Sequence, residues 1–540
     1  MQPMSFDFRS RRSMLTARRG MVSSSSALAS QAGVSVLRAG GNAADAAIAT
    51  AAVLTVVEPA STGIGGDCFA LYYDAKTRTL SALNGSGRAP SALTLEVVRQ
   101  AHPNATQMPI YSPHAVTVPG AVRGWEDLLN RHGRMSLREV LADAIHYARQ
   151  GFPVAPVFGA AWQTYGAWLA ARPDTGDYLP NGKPPQVGQM VQLGGMARTL
   201  AQIAEGGADA FYQGEAARAI VAALGAQGGV MTADDLAAHR STWETPIHTD
   251  YRGVTVYECP PNGQGLAALI ALNIAEGFDL GSLAWDSPER LHLMIEAMRL
   301  AFADARRYIA DPTFSAVPLS GLLSKSYAAE RRALIGEQAM QPPSFGAPPS
   351  GSDTVYLCAV DGEGNACSFI NSLYMGFGSG IVAKEAGFFL QNRGAGFSLD
   401  PEHPNALLPN KRPYHTIIPA MALRDGDLWA AFGVMGGFMQ PQGHFQVLAA
   451  MLDDNLNPQE ALDRPRFCLL DGTAESQIVL EEGIPVATMS ALAELGHPVR
   501  PVSGRRRGLF GSGDIIRRDP ESGVLFGGCD PRKDGMAVGY

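Results

Sequence analysis

Thr354-Val-Tyr-Leu-Cys-Ala-Val360 is apolar at nearly every position. That is the pattern of a strand covered on both faces, as in the interior of a layered sandwich. Before it runs Gln341-Pro-Pro-Ser-Phe-Gly-Ala-Pro-Pro-Ser-Gly-Ser-Asp353, which reads as a flexible linker. After it, Asp361-Gly-Glu-Gly364 predicts a hairpin turn into a second strand, Asn365-Ala-Cys-Ser-Phe-Ile-Asn-Ser372. A threonine between a linker and a central strand becomes a new N-terminus if the chain is cut before it. It then holds a hydroxyl to attack and an α-amine to take the proton in one residue. A free α-amine titrates near pH ~7.7–8.0, which suits a base at neutral pH.

Outward from this hairpin, the remainder of the C-terminal part reads as antiparallel sheet inside layers. A second hairpin is expected at Asp425-Gly426 and an outer helix over 445–452. The N-terminal part is richer in helix. Residues 1–20 read as a loose leader. Helices are expected over 27–37 and 43–57, with a break at Gly40-Gly41 and Asn42 as N-cap. Gly63-Ile-Gly-Gly-Asp67 reads as a tight turn into a strand over 68–73. Ser136-x-x-Glu139 is a capping box opening a helix to 149, Thr232-x-x-Asp235 opens another, and 291–308 is a longer amphipathic helix.

Composition limits the function. With 46% hydrophobic and 17% charged residues, the 540-residue chain buries a large core. A net charge of -8 and no basic run beyond Arg505-Arg506-Arg507 disfavour nucleic-acid binding. The six cysteines form no CxxC and read as free, buried thiols of a reducing compartment. No apolar stretch follows the N-terminal arginines, and the run over 46–57 is too short to span a bilayer, so a soluble cytoplasmic protein with no membrane partner is the expectation. Gly182-Lys183-Pro184 excludes a Walker A loop, no His-Glu pair offers HExxH, and no G-x-S-x-G elbow exists.

Taken singly, Thr354 is an ordinary strand-former and Gly436-Gly437 an ordinary turn. Their company is informative. Gly40-Gly-Asn-Ala-Ala-Asp-Ala-Ala47, Val57-Glu-Pro59, Thr62-Gly-Ile-Gly-Gly-Asp67, Val118-Pro-Gly120 and Gly124-Trp125 occur in the N-terminal part. Glu296-Ala-Met-Arg-Leu-Ala-Phe-Ala-Asp304, Phe377-Gly-Ser-Gly-Ile-Val382, Gly433-Val-Met-Gly-Gly437 and Asp530-Pro-Arg532 follow in order. With these motifs the chain resembles the γ-glutamyltransferase (glutathione hydrolase) family of N-terminal-nucleophile hydrolases, from Met21 to Tyr540.

The resemblance implies an α+β fold, the four-layer αββα sandwich with helical elaborations in the large chain. It implies a proenzyme cut between Asp353 and Thr354 into a large chain (1–353) and a small chain (354–540) that stay together; a dimer of such pairs is left open. Thr354 would cleave a γ-glutamyl or related small-molecule amide through an acyl-enzyme and release the acyl group to water or an acceptor amine. Ser372 would orient Thr354, and the N–H groups of Gly436 and Gly437 would hold the oxyanion. No cofactor or metal is implied.

The chain departs from the family pattern around the substrate. The position of the acid that grips the glutamyl α-amine falls at Gly396, and that of a pocket Asn at Tyr374. The paired serines that contact the carboxylate become His415-Thr416, and Arg88 lies two places from the carboxylate-binding arginine. These changes leave Arg88, Arg393 and Arg412 as anion partners, with Tyr374, His415 and Thr416 beside them. A carboxylate-bearing amide without an α-amine, such as a glutaryl, dicarboxylic or oxamate-like compound, fits this set. Two alternatives therefore stand beside γ-glutamyl cleavage: a related amidohydrolase or acylase, and an uncut, non-catalytic protein of the same fold.

Overall fold

The computed structural model describes residues 12–341 and 353–540. Most of the expected linker, and residues 1–11 of the expected leader, lie outside the described residues. Fourteen strands build two large antiparallel sheets. In chain order they are β1 (Leu15–Ala17), β2 (Gly20–Ser24), β3 (Asp67–Asp74), β4 (Thr79–Gly85), β5 (Thr242–Glu244), β6 (Ile247–Tyr251) and β7 (Val254–Glu258). They continue with β8 (Asp353–Asp361), β9 (Ala366–Tyr374), β10 (Ala420–Arg424), β11 (Asp427–Met435), β12 (Ser512–Arg518), β13 (Leu525–Cys529) and β14 (Met536–Gly539). One sheet runs β14-β2-β8-β9-β3-β4-β5, the other β1-β13-β12-β11-β10-β7-β6. Residues 15–20 therefore do not belong to a loose leader: β1 pairs with β13, and Gly20 opens β2.

Helices α1 (Ala27–Arg38) and α2 (Ala43–Val57) cover the first sheet. Asn42 caps α2 as expected, in a reciprocal box with Asp45. Every residue of α2 is buried, because the helix lies between the sheet and further helices. Helices α3 (Gly265–Ala275), α4 (Pro288–Tyr308) and α5 (Met439–Leu452) lie on the second sheet's outer side. The Ser136 capping box forms, but the helix it opens stops at Val140 and a separate one runs Ala142–Gln150.

The side chains of β8 explain both faces of the sandwich. Val355, Leu357 and Ala359 pack with the core under α1 and α2, whereas Tyr356, Cys358 and Val360 pack between the sheets against Met421, Ala431 and Ile516. Two buried faces make an uninterrupted apolar strand, and helices outside two facing sheets make the αββα sandwich. All six cysteines are free and buried. Among the described residues no helix is long and apolar enough to cross a membrane.

Candidate active site

Thr354 stands at the head of β8, 1% exposed. Strands β8 and β9 pair so that Val355 faces Asn371, which sets Thr354 beside Ser372. Thr354 Oγ1 lies 3.1 Å from Ser372 Oγ. Ser372 Oγ accepts from the Tyr374 N–H at 2.8 Å and from Arg393 Nη2 at 3.2 Å. Arg393 Nη1 donates to Thr416 Oγ1 at 2.7 Å, and the guanidinium lies 4.2 Å from the Tyr374 ring centroid. Thr354, Ser372, Tyr374, Arg393 and Thr416 thus form one connected cluster.

Arg393 is fully buried, its Nε finds no acceptor, and no carboxylate pairs with it among the described residues. Burial lowers its pKa to about 10, leaving it charged at neutral pH. Asp67 acts on it electrostatically without contact, and a ligand carboxylate would offset more of the cost of burying the cation. Burial raises the Tyr374 phenol, so that ring meets the guanidinium as a neutral face.

Gly436 and Gly437 follow β11 in the left-handed region, at φ 126° and φ 61°. Their N–H groups donate to no acceptor among the described residues. Helix α5 starts two residues later, so its positive N-terminal end lies at the same place. Gln264, which the sequence reading passed over, fixes this loop. Its Nε2 donates to the carbonyls of Gly437 and Thr416, each at 2.7 Å, and its Oε1 accepts from the Tyr414 hydroxyl at 3.1 Å. The available signal was an amide wedged between glycines at the start of α3, which is apolar but for Asn273.

Two expected anion partners, Arg88 and Arg412, and the expected substrate neighbour His415 make other contacts. His415 Nε2 meets Asp67 Oδ2 at 3.1 Å rather than the Thr354 cluster. Asp67 also accepts from the N–H groups of Gly87 and Gly120 and from Gln391 Nε2, tying three loops together. Burial raises Asp67 to about 6 and holds His415 neutral. Arg88 is half-buried and its side chain makes no hydrogen bond or ion pair among the described residues; its charge falls on Arg412 and His239. Arg412 holds the Ser86 carbonyl and Thr242 Oγ1, both at 3.0 Å.

One group of described residues has metal-ligand composition: His292, Glu296 and His497, all buried. Most of its atoms are spent on one another and on protein: His292 Nδ1 meets His497 Nε2 at 2.8 Å, and Glu296 takes Arg299 Nη1 at 2.6 Å and the Met340 N–H at 3.2 Å, while His497 Nδ1 has no hydrogen-bond partner. An arginine on the only carboxylate disfavours a dication there.

Facing antiparallel sheets between helical layers, with a buried threonine heading a central strand, define an N-terminal-nucleophile hydrolase. The family model for gamma-glutamyltranspeptidase matches residues 29–540, and the chain belongs to that family, whose members are hydrolases and acyltransferases. It is 41% identical over 523 residues to the glutathione hydrolase-like YwrD proenzyme of Bacillus subtilis, covering 96% of this chain and 98% of that one. It is 35% identical over 531 residues to the oxamate amidohydrolase proenzyme of Klebsiella pneumoniae, covering 96% and 98%. Among solved structures, cephalosporin acylase from Bacillus halodurans superimposes with a TM-score of 0.92 at 46% identity, over 100% of this chain and 99% of that one.

Proposed function

We propose that the chain is an autoprocessing amide hydrolase whose acyl donor carries a carboxylate bound by Arg393, with no α-amine required. In the precursor, Thr354 Oγ1 attacks the carbonyl carbon of Asp353. The peptide C–N bond breaks, an ester forms on Thr354, and its nitrogen becomes a free α-amine. Water then hydrolyses the ester and leaves Asp353 as a carboxyl terminus. In the mature enzyme the α-amine takes the Thr354 hydroxyl proton as the oxygen attacks the substrate amide. The N–H groups of Gly436 and Gly437 stabilise the resulting oxyanion, each worth ~2.7–4 kcal/mol in comparable sites. The leaving amine recovers the proton, and water or an amine acceptor releases the acyl group.

The observation that carries this reading is Arg393: a buried, charged guanidinium one hydroxyl away from Thr354, with an unpartnered Nε and no carboxylate in ion-pair contact among the described residues. A γ-glutamyl donor also has a carboxylate, and cleavage of such amides is the second reading. It needs an acid for the ammonium, and Gly396 supplies none. A Cβ there would meet the Tyr414 carbonyl at 2.6 Å, so a longer side chain does not fit without movement.

The test has two parts. Intact mass spectrometry is expected to find two chains meeting at Asp353/Thr354 in wild type and one chain in Thr354→Ala; a single wild-type chain would leave a non-catalytic relative. Initial rates on glutaryl-4-nitroanilide are expected to exceed those on γ-glutamyl-4-nitroanilide. The reverse order would return the function to γ-glutamyl cleavage.

A further inference from the structure

Arg306 lies near the C-terminal end of α4, outside every motif the sequence reading used. Its guanidinium is 4.1 Å from the Phe438 ring centroid and 5.1 Å from that of Tyr414. Phe438 is the residue after Gly437, and the Tyr414 hydroxyl bonds Gln264, which holds the Gly437 carbonyl. Arg306 therefore borders the loop read above as the oxyanion hole. Its Nε donates to the Gly472 carbonyl at 3.1 Å and its Nη2 to the Asp471 carbonyl at 2.8 Å. These bonds aim the planar group while supplying no counter-charge. Nη1 donates to nothing, and no carboxylate pairs with Arg306 among the described residues. Its charge also reaches Tyr374 and lowers that phenol, behind the larger influence of burial and then of Arg393.

The two arginines differ in access. Arg393 is sealed, whereas Arg306 is partly exposed. In an amide hydrolase the acyl group stays on the enzyme while the amine departs to solvent. The sealed cation thus belongs to the acyl side and the open one to the side by which the amine leaves. An arginine stacked on aromatic rings is pre-oriented for in-plane contact with a carboxylate.

We propose that Arg306, presented on Phe438 and Tyr414, is a second anion site that binds a carboxylate on the leaving or accepting amine. The enzyme is then selective for amides carrying a carboxylate on each side of the scissile bond. This rests on the reading of Thr354 as the nucleophile, and the test separates the two.

The probes are glutaryl-4-nitroanilide and glutaryl-(3-carboxy-4-nitroanilide), which differ by one carboxylate on the leaving amine. Wild type is expected to show a kcat/KM at least about tenfold higher for the carboxylated anilide, the size of one charge-assisted contact. In Arg306→Gln that ratio is expected to fall to within about twofold of one, and Arg306→Lys is expected to restore part of it. A ratio that survives in Arg306→Gln, or one near unity in wild type, overturns the proposal. A parallel calorimetric titration uses the free amines, 5-amino-2-nitrobenzoate against 4-nitroaniline. Wild type is expected to favour the carboxylated amine and Arg306→Gln is not; equal binding by the two proteins overturns the anion site even if neither anilide turns over. Absent turnover with retained amine selectivity would instead refute the nucleophile reading and leave the anion site standing.

Discussion

Replacing Arg393 by methionine should separate the chemistry of the site from the stability of the fold. Burial moves this guanidinium down from its ordinary value to about 10. At ~1.4 kcal/mol per unit, holding the charge inside costs on the order of 3 kcal/mol. Because the folded pKa lies below the unfolded one, that cost is fully present below about pH 10 and fades only as pH rises above it. Methionine keeps the length, loses the two hydroxyl partners at about 1 kcal/mol each, and gives up the contact with the Tyr374 ring. The balance is near zero, so the variant should melt no lower than wild type. Its kcat/KM on glutaryl-4-nitroanilide should fall ~30–1000-fold, the loss of one buried charge-assisted contact worth ~2–4 kcal/mol. The loss on butyryl-4-nitroanilide, which lacks the carboxylate, should be far smaller. Thermal melts and initial rates on the two anilides suffice. A melt several degrees lower, with equal losses on both substrates, would make Arg393 a strut and refute the argument.

Ser372→Ala removes the partner of Thr354 Oγ1 and strands the Tyr374 N–H and one Arg393 N–H, at ~1–3 kcal/mol per buried donor. Chain scission followed by intact mass should slow at least about tenfold, and Ser372→Thr should retain most of the rate; undiminished scission in the alanine variant would remove Ser372 from the mechanism. Asp514 is buried, accepts from Ser23 at 2.6 Å, and is raised from 3.8 to about 8 by burial. Its folded form keeps a proton that the unfolded chain releases, so wild-type stability should decline as pH rises from about 4 to about 8. Asp514→Asn should accordingly melt above wild type at pH 9 and close to it at pH 4, and an identical offset at both would contradict the assignment.

Local chemistry made much of the fold legible. The Asn42 cap, the turn at Asp361-Gly362 and the two-sided apolar run of β8 each depend on residues a few places apart. Thr354, Ser372 and the two glycines were legible through motif order, and Arg393 through its neighbourhood. What sequence could not convey was direction across long separations. Asp67 and His415 are 348 residues apart, and nothing near either announces that they meet. Arg412 sits beside motif segments yet its side chain holds the Ser86 carbonyl and Thr242. Arg306 reads as one more charge on an amphipathic helix; only the packing of α4 sets it beside the Phe438 loop.

The sheet order has a consequence for how such a protein ages. Strand β8 runs between β2 and β9, and β9 runs between β8 and β3, so strands from before and after residue 353 are interleaved within one sheet. A chain severed there would not come apart, because neither fragment owns a complete sheet. Unfolding and dissociation become the same event, and recovery turns from a first-order search by one polypeptide into an encounter between two. Maturation would thus convert a reversible fold into one held mainly by the slowness of its opening, with working life set by a rate rather than an equilibrium.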